Sequence, residues 1–215
     1  MFISINTQEL KDNLSGTFIM DFRNAEEYLN GFIPGAVWIP FRDTLPEWFQ
    51  ELRKQTDAVC VVAGKKDREI LEKQLRNSGL LQVQWLEGGW KAWQKAGFGY
   101  DMVVEIEADE LAMDLPFDEH LVLLDVRSAE EFDAAHVDMA GNMPLDEFAD
   151  LVAIAALPET GNFYVYGNGN EALLAAGLLK RQGIHMVRYV AGGWENLENS
   201  EALTIVKAKP KKKDV

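Results

Sequence analysis

Phe18–Gly31 reads FIMDFRNAEEYLNG, and Leu123–Ala135 reads LLDVRSAEEFDAA. Asp21 falls on Asp125, Arg23 on Arg127, and Ala25-Glu26-Glu27 on Ala129-Glu130-Glu131, all at one offset of 104 residues. Working outward at the same offset, Pro40 meets Pro144, and LEGGWKAW (Leu86–Trp93) meets VAGGWENL (Val190–Leu197). No gap is needed between these matches. Before Asp21 the offset changes, because Ala112–Leu124 is longer than Lys11–Met20. Self-similarity at a fixed period marks a duplication. Its boundary is expected near Gly99–Val103, giving domains at 1–100 and 101–206 and a basic tail at 207–215.

Each half reads as alternating strands and helices. In the first, Asn6 or Thr7 caps a short helix through Leu14, and Phe18–Phe22 is an apolar strand. Asn24 caps a helix AEEYLNG, Ala36–Ile39 is a strand, and Asp43–Lys54 is a helix with Leu45, Trp48, Phe49 and Leu52 inward. Ala58–Val62 is a strand, and Lys66–Asn77 is an amphipathic helix with Ile70, Leu71 and Leu75 inward. That helix has expected i,i+4 pairs at Glu69/Lys73 and Glu72/Arg76. Val83–Leu86 is the last strand before Gly-Gly-Trp opens the final helix. In the second half, Phe163–Tyr166 reads as a buried strand. A loop Gly167-Asn168-Gly169-Asn170 follows, then a helix ALLAAGLLKRQ that is apolar nearly all round. Apolar strands alternating with helices imply an α/β fold with a parallel sheet covered on both faces.

The net charge of −14 is unevenly placed. Residues 1–100 hold 12 basic against 13 acidic residues, net −1, whereas residues 101–206 carry −17. Such a field disfavours nucleic acid and anionic membranes. A protein partner of the second half is expected to present a basic face, with an affinity that falls as salt is added. The N-terminus does not read as a signal peptide, and no apolar run approaches the length of a membrane span, so the expected location is cytoplasmic. One cysteine, Cys60, excludes an intramolecular disulfide and a multi-cysteine metal site. No metal and no cofactor is expected, and no oligomeric state follows from these features.

A strand ending Asp-x-Arg, then Ala-Glu-Glu-Tyr/Phe, then Ile-Pro-Gly-Ala-x-x-Ile-Pro and finally Gly-Gly-Trp resembles the rhodanese (sulfurtransferase) family. The resemblance covers nearly the whole chain as two tandem copies. It implies two rhodanese-like domains, each a parallel sheet with helices on both faces. It also implies sulfur transfer through a cysteine persulfide at the start of the loop after the fourth strand. Those positions are Val62 or Ala63 in the first copy and Tyr166 or Gly167 in the second, and neither copy has cysteine there. Cys60 is the one rescue candidate, inside an apolar strand, where a buried structural thiol is the ordinary reading. Gly64, Lys65, Lys66 and Arg68, and Gly167, Asn168, Gly169 and Asn170, are candidate anion-binding loops. Gly167 is a candidate for positive φ. His136 is read as a structural histidine, Arg23 and Arg127 as ion-pair partners of the neighbouring glutamates, and Trp90 and Trp194 as core anchors. The expected function is a catalytically silent binding or regulatory module. The alternative is a sulfurtransferase using Cys60 or an unrecognised site.

Overall fold

The computed structural model describes residues 2–40, 45, 48–54 and 58–208. The first copy contains β1 (Phe2–Ile5), α1 (Thr7–Asp12), β2 (Thr17–Asp21), α2 (Ala25–Leu29), β3 (Ala36–Trp38), α3 (Trp48–Lys54), β4 (Ala58–Val62), α4 (Arg68–Asn77), β5 (Val83–Leu86) and α5 (Gly89–Lys95). The second contains β6 (Val104–Ile106), α6 (Ala108–Asp114), β7 (Leu121–Asp125), α7 (Ala129–Ala134), β8 (Ala135–Val137), β9 (Gly141–Asn142), α8 (Leu151–Ala155), β10 (Asn162–Tyr166), α9 (Glu171–Arg181), β11 (Val187–Val190), α10 (Gly193–Glu198) and β12 (Ile205–Lys207). Each copy builds a five-stranded parallel sheet, ordered β1-β5-β4-β2-β3 and β6-β11-β10-β7-β9. The last strand, β12, pairs antiparallel with β8 in a separate ribbon.

The start signals are local. Asn6 accepts from the backbone of Gln8 and Glu9 while Glu9 reaches back to Asn6, and Glu107 with Glu110 repeats this capping box in the second copy. Asn24 and Ser128 cap α2 and α7 in the same way, through the N–H of Glu27 and Glu131. Gly88 and Gly192 both sit at φ 72° ahead of the last helix of their copies, a conformation that costs glycine little.

Several expectations are corrected. The chain makes a 3-10 turn at Lys65–Asp67 before α4 begins at Arg68. The buried stripe of α4 is Leu71, Gln74 and Leu75, and Ile70 is 59% exposed, because its side chain lies about a quarter of a turn off the centre of that stripe. The i,i+4 ion pair formed there is Arg68–Glu72, and Arg76 lies over the Phe2 ring instead. Of the apolar positions read for α3, Leu45, Phe49 and Leu52 are buried. Residues 43, 44, 46 and 47, the side chain of Trp48, and the tail beyond 208 lie outside the described residues.

Helix α9 joins the two copies. Nine successive residues, Ala172 to Lys180, are buried, so the helix has no solvent-facing stripe along most of its length. One side covers β10 and β11 of its own sheet, and another lies against β3, the edge strand of the first sheet. A helix over a sheet edge blocks further strand addition there. Gly177 makes the contact close: a Cβ added to it would stand 2.9 Å from the Tyr28 hydroxyl and 3.3 Å from Val37 Cα. The Tyr28 hydroxyl donates to the Ala36 carbonyl at 2.8 Å, and its ring stacks on Phe32 at 4.1 Å. At the C-terminal end, Lys180 Nζ meets Asp101 at 2.7 Å, and Arg181 donates to the Thr17 carbonyl at 3.0 Å while lying over the Phe18 ring. A single hydrophobic cluster therefore runs from the first sheet through α9 to one face of the second. The opposite face of the second sheet packs a smaller core around Leu111, Tyr164, Tyr166 and Leu197.

In an exposed helix, Gly→Ala stabilises by about 1 kcal/mol. At Gly177 the sign is expected to reverse, with a loss of about 1–3 kcal/mol from overpacking. In urea unfolding, Gly177→Ala and Tyr28→Phe are expected to cost less together than the sum of the single losses, because removing the hydroxyl frees the space. Strict additivity, or a more stable Gly177→Ala, contradicts this packing.

Candidate functional site

Both copies build the mouth of the site from one constellation. In the first, Asp21 ends β2 fully buried and holds Arg23, with Nη2 at 2.6 Å and Nε at 3.0 Å. Burial pushes the Asp21 carboxyl upward, and the guanidinium pulls against it. The rest of the Arg23 fork donates to the Glu27 and Gly31 carbonyls, and its flat face lies 4.8 Å from the centre of Trp90. The second copy repeats this: Arg127 pairs with Asp125, donates to the Ala135 carbonyl at 2.7 Å, and stacks 3.8 Å from the Trp194 ring. The arginines thus pair with the preceding aspartates and not the neighbouring glutamates, since a two-residue spacing lets carboxylate and guanidinium meet bidentately. Trp90 and Trp194 are half-buried, packed against the hydrophobic clusters as core anchors, and also lie over these arginines. Gly-Gly before each Trp is explained as well. A Cβ on Gly193 would stand 2.3 Å from the Gly167 carbonyl, and one on Gly89 3.2 Å from that of Ala63.

The loops between these supports are where the two copies differ. In the first copy, Ala63, Gly64, Lys65 and Arg68 line a cleft of about 720 Å³, together with Arg23, Trp85, Trp90 and Lys91. Lys66 is exposed and outside that lining, and Val62 is buried at the end of β4. In the second copy, Tyr166 is buried, with its hydroxyl accepting from the Val137 N–H at 3.2 Å. Gly167 is buried and is not among the positive-φ glycines; Gly169 is, at 50°. What restricts position 167 is space, since an added Cβ would lie 2.7 Å from Val126 Cγ2 and 3.1 Å from Glu171 Cβ. Carboxylates already engage this loop. The Asn168 N–H donates to Glu171 at 2.8 Å, and its side-chain amide donates to Glu131 at 2.7 Å. Those hydrogen bonds, first from Asn168 and then from Ser128, hold the Glu131 carboxyl below its ordinary value. Asn170 faces a separate cleft between the copies.

Cys60 lies within β4, between Ile19 of β2 and Gln84 of β5, with no exposed surface. Burial pushes its thiol up to about 12. His136 stacks on Phe132 at 3.9 Å with Nδ1 2.7 Å from the Phe132 carbonyl, a structural placement. Among the described residues no three His, Cys, Asp or Glu side chains gather as a metal site, and no helix is long and apolar enough to cross a membrane.

The profile of the family described as "Rhodanese-like domain" matches residues 6–96 and again 107–200. The chain belongs to that family. Both rhodanese-like copies lack the loop cysteine. No curated protein matches the sequence. Among solved structures, the chain is similar to a rhodanese-like domain from Anabaena, at 25% identity over 53% of this chain and 86% of that one, with a TM-score of 0.44. It is also similar to a 3-mercaptopyruvate sulfotransferase from Escherichia coli, at 17% identity over 90% and 99% of the two chains, TM-score 0.37. A thiosulfate sulfurtransferase from Pseudomonas aeruginosa matches at 16% identity over 96% and 44%, TM-score 0.41. The arginine–tryptophan stack is the feature that a reading of the residues missed. Its signal was present, because Arg23 to Trp90 and Arg127 to Trp194 have the same separation.

Restoring a thiol tests the two loops. In a Cys60→Ser background, Ala63→Cys is expected to alkylate with iodoacetamide at an apparent pKa below the free value of about 8.5, beside Lys65 and Arg68. Gly167→Cys, crowded by Val126 and facing Glu171, is expected to titrate higher. A lower apparent pKa at position 167 contradicts the assignment of charge to the loops.

Proposed function

We propose that this rhodanese-like chain is a catalytically silent binding module whose first-copy cleft receives an anionic group. The observation that carries the reading is a pairing of features: a cleft of about 720 Å³ in which four basic side chains, Arg23, Lys65, Arg68 and Lys91, outnumber two acidic ones, Glu27 and Glu87, and no thiol in its loop. Arg23 and Arg68 are shared with Asp21 and Glu72, so Lys65 and Lys91 would supply the positive charge that an incoming anion meets. Trp85 and Trp90 give the cleft flat apolar walls, which suits an anion carried on a larger body. Sulfur transfer from the loop has no nucleophile, and Cys60 is buried with its thiol held protonated near neutral pH. In the second copy Glu171 and Glu131 take the Asn168 donors, so that loop is not proposed as an anion site. A protein partner of the second copy would present a basic face to its net −17. The domain limits proposed are 1–100 and 101–206.

Thiosulfate serves as both probe and sulfur donor. It is expected to change tryptophan fluorescence saturably, with the change lost in Lys65→Ala combined with Lys91→Ala. The intact mass is expected to stay constant, without the gain of about 32 Da that a persulfide adds. A persulfide on Cys60 overturns the silent reading. Indifference of the fluorescence to thiosulfate overturns the anion cleft.

A further inference from the structure

The cleft of the first copy holds a donor that no group of the chain uses. Trp85 lines that cleft and is 6% exposed, yet its indole N–H meets no acceptor among the described residues. A buried donor without an acceptor is costly, and each one in a native fold calls for an explanation. The duplication supplies a comparison. Tyr189 stands 104 residues further on, in register with Glu105 of β6, and burial together with a hydrogen bond to that carboxylate pushes its hydroxyl upward. In the first copy the edge strand offers Ser4 at that register position, and the indole stays unpaired. Trp85 stands near the carboxyl end of β5, the end at which parallel sheets receive ligands. The group over it can move. The Arg68 guanidinium lies 5.1 Å from the ring centre, and its ion pair with Glu72 is partly exposed. Such a pair contributes little in water, so Arg68 can turn from the indole to a ligand.

We propose that this cleft binds a heteroaromatic acid, a flat ring system with a carboxylate at one end and a ring acceptor at the other. The ring takes the place of Arg68 over the indole, and its acceptor takes the Trp85 N–H. The carboxylate meets Lys65, Lys91 and the Arg68 guanidinium that has turned away. A volume of about 720 Å³ lies in the range of small-molecule sites and leaves room for a body of two fused rings. Glu27 and Glu87 share the lining, which favours a ligand with one negative charge over a ligand with two. This inference rests on the cleft receiving an anion, and it adds what that anion is carried on.

The test uses the full chain, labelled with nitrogen-15, at slightly alkaline pH, where a quinoline nitrogen is an unprotonated acceptor. The probes have one shape: quinoline-6-carboxylate carries a ring acceptor and 2-naphthoate does not. Both are expected to bind saturably, with quinoline-6-carboxylate about fivefold tighter, as one hydrogen bond allows. Only the quinoline is expected to move the Trp85 indole proton downfield, and Trp85→Phe identifies that signal by its loss. In Trp85→Phe the two probes are expected to bind equally. Lys65→Ala combined with Lys91→Ala is expected to weaken both about fivefold and to preserve their ratio. The comparison in the unaltered chain decides the matter even where Trp85→Phe does not fold. Equal affinity of the two probes for that chain overturns the proposal, and so does a preference that survives Trp85→Phe. If thiosulfate binds and neither ring acid does, the anion cleft stands and the heteroaromatic acid falls. If none of the three binds, both fall.

Discussion

The burial of α9 on both sides is the constraint from which the arrangement of the two copies follows. A helix normally keeps a polar stripe for water, and this one keeps none from Ala172 to Lys180 because a second sheet edge occupies that side. Its four buried leucines contribute about 1.5–3 kcal/mol each as an upper estimate. That sum is comparable with the whole net stability of an ordinary domain. Gly177 sets how closely the helix approaches β3, and Lys180 and Arg181 fix its end against Asp101 and Thr17. The interdomain cleft is a consequence of the same contact, since α9 begins at Glu171 on its wall.

The motifs that mark the family are supports around the site and not its reacting groups. Asp21 with Arg23, and Asp125 with Arg127, tie a strand end to the loop that follows, and Trp90 and Trp194 cover the guanidiniums. The paired glycines let the last helix start directly beneath the loop carbonyl. None of these interactions uses a nucleophile, so the scaffold persists unchanged in two copies that lack one. What has diverged is the loop chemistry: lysines in one copy and carboxylates in the other.

Much of this was legible in the residues. The offset of 104, the apolar strands and the caps at Asn6 and Asn24 are local patterns, and each appears where its physics places it. The all-round apolar character of α9 was also visible. What it packed against was not, because burial of a helix face does not name the neighbour. The partners of Arg23 and Arg127 were misassigned to glutamates, since a sequence gives proximity along the chain but not which carboxylate a bent strand end turns inward. Ile70 was misplaced because it borders the Leu71–Leu75 stripe, and the packing against the sheet turns Gln74 inward on that side instead. The interdomain cleft had no sequence signal, as its walls come from segments distant in the chain.

Native-state hydrogen exchange under increasing urea, followed separately for β4 and β10, addresses the shared helix most directly. The strands belong to different copies and sit at the centre of their sheets. If α9 makes the two copies one cooperative unit, both strands open with the same free energy and the same urea dependence. Separate openings, with one strand exchanging while the other stays protected, would contradict that account.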